Sequence, residues 1–139
     1  MEILIIDGQG GQLGARLVKE ISEAFPAASL TAIGTNAIAT TAMLKAGAKK
    51  AATGENPTIV AARKADVIVG PLGIVIADAL LGEITEKMAV AIGRADAIRI
   101  LIPMNKCDNV VAGVSDANTS VLVGDAIARM REIVAERGL

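Results

Sequence analysis

Apolar residues come in short bursts separated by polar and glycine-rich turns, and the bursts alternate between two periods. Glu2–Ile6 is apolar after its first residue and reads as a buried strand, with a turn following at Asp7–Gly11. Leu13, Leu17, Ile21 and Phe25 then recur at every fourth position, one stripe of a helix that Pro26 closes. Leu30–Ile33 is a second strand, and Thr35 and Asn36 stand where a helix cap belongs, ahead of Ala37–Ala46 with Gly47 as the stop. Lys50–Ala52 is a weaker third strand. Asn56 and Pro57 open a short helix through Lys64, and Asp66–Val69 is a fourth strand. The turn Gly70-Pro71-Leu72-Gly73 leads into an apolar helix, Ile74–Leu81, and Thr85 caps another that runs to Arg94. Ile98–Ile102 is a fifth strand and Val110–Val114 a sixth. A last helix turns Val123, Ile127, Met130 and Val134 inward and Arg131, Glu132, Glu136 and Arg137 outward.

Strands that are continuous apolar runs, alternating with helices, predict a parallel sheet covered on both faces. Right-handed crossovers make this a three-layer, doubly wound, mostly parallel α/β sheet of Rossmann-like type, with the strand order taken from that analogy. No linker, repeat or low-complexity tract interrupts the pattern, so residues 1–139 are read as a single domain, a length ample for one hydrophobic core.

Composition narrows the chemistry. The chain is 53% hydrophobic, yet no apolar run is long enough for a membrane helix, and the first residues enter a strand with no signal-like segment. With one cysteine, Cys107, there is no disulfide framework, and a cytoplasmic protein is expected. The formal charge of −1 and a lone aromatic, Phe25, argue against a nucleic-acid partner. Histidine, tyrosine and tryptophan are absent, which removes the commonest general base and the commonest transition-metal ligand. No metal site is expected, and any acid–base work falls to Asp, Glu, Lys or Cys107.

The segment Asp7-Gly8-Gln9-Gly10-Gly11-Gln12-Leu13-Gly14 stands between the first strand and the first helix, where a Rossmann fold puts its phosphate loop. Glycines there allow a tight turn and close approach of a phosphate to the backbone, and the helix N-terminus supplies free N–H groups. Gly8, Gly10 and Gly14 give a loosened dinucleotide spacing. Gly8, Gly11 and Gly14 resemble the loop of the short-chain dehydrogenases and reductases, but that family's Tyr-x-x-x-Lys cannot exist in a chain without tyrosine. The second strand ends at Gly34-Thr35-Asn36, with neither the acid that holds an NAD ribose nor an arginine for NADP. Asp7 beside a pyrophosphate is repulsive unless it turns away, meets a cation or binds a sugar hydroxyl. The alternative is that Asp7 caps loop amides and the glycines only make a turn.

The doubly wound topology brings further residues to the same rim. Gly70, Pro71 and Gly73 form a second glycine turn facing the first, and Thr35 and Asn36 are ligand contacts or helix caps. Asn105-Lys106-Cys107-Asp108-Asn109 is the densest polar cluster: Lys106 could pair with a phosphate and Cys107 could act as a nucleophile, although no histidine exists to activate it. Asp78 interrupts the apolar Ile74–Leu81 segment, and the apolarity of that segment on all sides points to burial against a second subunit in a homodimer.

Strings along most of the chain also carry a family resemblance: Ile6-Asp7-Gly8-Gln9-Gly10-Gly11, Gly34-Thr35-Asn36-Ala37, Ala52-Thr53-Gly54-Glu55-Asn56, Gly70-Pro71-Leu72-Gly73-Ile74 and Leu81-Gly82-Glu83-Ile84-Thr85. The chain resembles a small uncharacterised bacterial family, a domain of unknown function with a Rossmann-like fold. The resemblance implies that fold and nucleotide binding, and no reaction or catalytic residue. Three readings stand. The first is a nucleotide-binding module, a sensor or subunit, for a phosphate-bearing ligand such as NAD(P). The second is a minimal oxidoreductase or transferase using Asp7, Asp78, Lys106 or Cys107. The third is an interaction protein with an empty glycine turn.

Overall fold

The computed structural model describes residues 1–104 and 108–139. Five strands, β1 (Glu2–Asp7), β2 (Ser29–Gly34), β3 (Lys50–Thr53), β4 (Val67–Pro71) and β5 (Ile98–Ile102), form one sheet in the order β3-β2-β1-β4-β5. Every pairing is parallel, and β1 is bonded to β2 on one side and β4 on the other. Strand order therefore reverses at β1, and the crevice of a doubly wound fold opens beyond its carboxyl end and that of β4.

The helices are α1 (Gln12–Ala24), α2 (Ala37–Lys45), α3 (Glu55–Ala62), α4 (Glu86–Arg94) and α5 (Thr119–Arg137). Successive residues of β1 point to opposite faces, and both faces are dry. Ile3 and Ile5 pack with Leu17 and Ile21 of α1, Met43 of α2, and Val123 and Met130 of α5. Leu4 and Ile6 pack with Ala62 of α3 and Met88 and Ile92 of α4. This is why β1 is an unbroken apolar run rather than an alternating one. The result is the three-layer, doubly wound parallel architecture expected from the pattern. Asn36, Thr85 and Asn118 cap α2, α4 and α5 by accepting from Ala39 N, Met88 N and Val121 N. Among the described residues no helix is long and apolar enough to cross a membrane.

Two predicted elements do not form. Ile74–Leu81 is not a helix: a 3₁₀ turn, Leu72–Val75, gives way to a loop in which Asp78, Leu80 and Leu81 have φ of 65°, 56° and 55°. Ile74, Leu80 and Ile84 are buried together in the α3–α4 core. A segment apolar on every side has no preferred helical face, and here packing into the core overrides helix propensity. The apolar helix face expected to seat a second subunit is thus not formed, and only Leu81 of its large side chains remains exposed, at 94%. The second is Val110–Val114, which has no strand structure. Val110 is 93% exposed and Val114 N donates to Val111 O in a turn. Its β-branched residues favour a strand only where a sheet edge and a buried face receive them, and the sheet ends at β5.

Candidate functional site

The turn after β1 is built around Asp7. Gly11 N donates to Gly8 O at 2.9 Å to close it, and Gly11 stands at the N-cap of α1 with φ 73°. The buried Asp7 carboxylate accepts from Gly8 N at 2.8 Å and from Gly14 N at 2.6 Å, so it spans the loop from its first glycine to its last. Burial pushes the Asp7 carboxyl above the usual aspartate range, against the pull of those two amides, and the charge of nearby Glu83 pushes it the same way. Asp7 is therefore first a cap that holds the loop in shape.

The glycines divide by what surrounds them. A Cβ on Gly14 would lie 2.7 Å from both Asp7 Cβ and Met43 Sδ, and one on Gly11 would lie 2.7 Å from Ala39 Cα. These two glycines are required by the close approach of α1 to β1 and α2. Gly10 differs: its φ is not left-handed, and a Cβ there would meet only Gln12 Cγ, at 4.0 Å. Open space therefore lies at Gly10. The amides of Gly10, Gln12 and Leu13, at the positive end of α1, donate to no described protein acceptor. Of the other predicted loop residues, Gln9 and Gln12 are exposed and Leu13 is in the core.

A residue that sequence reasoning missed covers this loop. Glu83 accepts from Gln9 N at 2.8 Å and also from Asn36 Nδ2. Asn36 in turn caps α2 through Oδ1 and donates to Gln9 O at 3.0 Å. One carboxylate from the loop after β4 thus ties the glycine turn to the start of α2. Only a lone acid within Leu81-Gly82-Glu83-Ile84-Thr85 signals it, and no spacing rule links position 83 to position 9. Thr35, predicted as a cap alternative, is not the cap: its Oγ1 is buried without a hydrogen-bond partner. A Cβ on Gly8 would come within 2.5 Å of it, and within 2.9 and 3.0 Å of Leu80 Cδ1 and Glu83 Oε2.

The second glycine turn is packed rather than open. A Cβ on Gly70 would stand 2.4 Å from Ile6 O and one on Gly73 would stand 3.2 Å from Ala79 Cβ, while Pro71 is the buried last residue of β4. Asp78 is exposed in the loop that follows. Lys106 and Cys107 lie outside the described residues. A groove of about 760 Å³ opens elsewhere, between α3 and α4, beside Arg63, Lys87 and Arg94.

No curated protein sequence matches the chain. A solved structure similar to it is a dodecameric FMN-dependent Ubix-like decarboxylase from Escherichia coli O157:H7, at 14% identity and a TM-score of 0.44, over 100% of this chain and 96% of that one. A family match extends over residues 2–135, almost end to end, and the chain belongs to that family, described as a domain of unknown function, DUF3842.

Proposed function

We propose that the protein binds a small phosphate-bearing ligand, of nucleotide type, at the glycine loop Gly8–Gly14. The observation that carries this reading is the juxtaposition of three unpartnered amides at the α1 N-terminus with open space at Gly10, at the point where strand order reverses. The other loop glycines are accounted for by packing; Gly10 is not. Asp7 does not oppose an anion as directly as its position in the sequence suggests, because both its oxygens are turned onto loop amides. Asn36 stands beside the loop, its amide donating to Gln9 O and to Glu83. The competing reading, a turn that serves structure alone, draws on the same Asp7 and Glu83 bonds, which satisfy Gly8, Gln9 and Gly14 without a ligand.

The test is a thermal-shift panel of NAD(H), NADP(H), ATP, GTP, AMP, FMN, coenzyme A and S-adenosylmethionine, read by circular dichroism because the chain has no tryptophan or tyrosine. A ligand at about 100 times its dissociation constant adds about 2.7 kcal/mol, a rise of several degrees in the midpoint. Gly10→Val keeps the fold and abolishes the shift. A panel with no shift, or a folded Gly10→Val that binds as tightly as the parent, refutes the reading and leaves the structural turn.

A further inference from the structure

The Glu83 carboxylate is placed as a bound anion would be. Its two oxygens face two donors from different elements, Gln9 N–H in the glycine loop and Asn36 Nδ2–H at the head of α2. Both partners are donors only, so the position they define selects a group that accepts hydrogen bonds, and a negative charge satisfies both at once. Two features of the surroundings work against Glu83 as a permanent occupant. Its charge opposes ionisation of the buried Asp7 carboxyl. Beside it, within reach of the same Gly8 α-carbon that Glu83 Oε2 and Leu80 crowd, the Thr35 hydroxyl is buried with no partner, where an unmade hydrogen bond is unfavourable. The segment that carries it holds three non-glycine residues, Asp78, Leu80 and Leu81, in left-handed conformation.

Resting on the proposed phosphate-ligand reading, we propose that Glu83 is an internal surrogate for the ligand's phosphate, filling a subsite whose donors are Gln9 N–H and Asn36 Nδ2–H until a phosphate monoester displaces it. The ligand class proposed carries a terminal phosphate, whose non-bridging oxygens accept from both donors at once. When the phosphate takes the site, Glu83 turns out to solvent and the Thr35 hydroxyl gains access to a ligand oxygen. The protein then holds its own site closed, and its affinity is set partly by competition with Glu83.

The experiment compares the full chain with Glu83→Gln and Glu83→Ala, using AMP, inorganic phosphate and adenosine as probes in titration calorimetry. Gln retains an acceptor for Gln9 N–H without the charge, so it keeps the fold comparable if Ala does not; circular dichroism checks both. The expected result is AMP binding tighter by about tenfold or more in both variants, the scale of one charge-assisted hydrogen bond regained. Adenosine is left unchanged. Hydrogen exchange gives a second readout: the Gln9 amide loses protection in ligand-free Glu83→Ala and recovers it with AMP. If the parent binds AMP and the variants bind it no more tightly, the surrogate role is overturned and the binding site stands. If adenosine gains as much as AMP, the subsite does not take phosphate and the proposal falls. If neither parent nor variants bind AMP or phosphate, the surrogate proposal falls, while the phosphate reading is decided separately by the thermal-shift panel.

Discussion

Gly11 and Gly10 are neighbours in sequence with opposite surroundings, and alanine at each separates structural from ligand-facing roles. At Gly11 the added Cβ meets Ala39 Cα at 2.7 Å and Ala39 O at 2.9 Å, both backbone atoms of α2 that cannot swing aside. Its φ of 73° adds the left-handed penalty of a residue with a side chain, about 1–2 kcal/mol. Forcing α1 and α2 apart by the missing tenths of an ångström adds about 1–3 kcal/mol of overpacking. The sum is about 2–5 kcal/mol. At about 3 °C per kcal/mol for a domain of this size, the midpoint falls by roughly 6–15 °C. Gly10→Ala meets no such atom and no such φ, so it stays within about 0.5 kcal/mol of the parent. Urea and thermal unfolding followed by far-ultraviolet circular dichroism measure both. Equal stabilities for the two variants would refute the assignment of Gly11 to helix packing, and with it the argument that Gly10 alone is left over for a ligand.

Asp7→Asn tests the buried carboxyl through pH. Because the folded pKa lies above the unfolded value near 3.8, the native state binds more protons between the two. Stability of the parent relative to Asp7→Asn is therefore greatest below about 3.8 and is lost as pH rises through the raised folded value; urea unfolding across pH 3–8 should show that sign. A parent that gains on the variant as pH rises would mean that the Gly8 and Gly14 amides outweigh burial. Thr35→Val removes a buried hydroxyl that has no partner while keeping the volume, and should raise stability by about 1 kcal/mol in ligand-free protein. A loss of that size in the same unfolding assay would show that the hydroxyl is satisfied in solution.

The fold was legible because its physics is local and periodic. Residues 3–6 are apolar on both faces, the four-residue stripe of α1 is unambiguous, and Asn36, Thr85 and Gly47 stand where helices start or stop. Legibility ended where apolar content carried no period. Ile74–Leu81 fits a helix on composition, and what prevents it is a set of long-range contacts, Ile74, Leu80 and Ile84 meeting Ile6 and Ile68 in one core. Val110–Val114 fits a strand on composition but finds no partner strand. Neither outcome is written in its own segment.

The site divides along the same line. The position of the glycine loop follows from the order of elements, but the role of each glycine depends on what approaches it from elsewhere. Met43 and Ala39 of α2 account for Gly14 and Gly11, and Thr35, Leu80 and Glu83 crowd Gly8. A spacing such as G-x-G-x-x-x-G weighs Gly8, Gly10 and Gly14 alike, whereas of these three the structure leaves Gly10 without a neighbour that explains it. The reverse holds for Glu83, which has no motif at all and yet makes two of the bonds that shape the loop's mouth. A carboxylate 74 positions away closing on a glycine turn also changes the electrostatics of any ligand that enters. Glu83 bonds Gln9 N and its charge also acts on Asp7, so an anion approaching the turn would meet that carboxylate as well as the glycine amides.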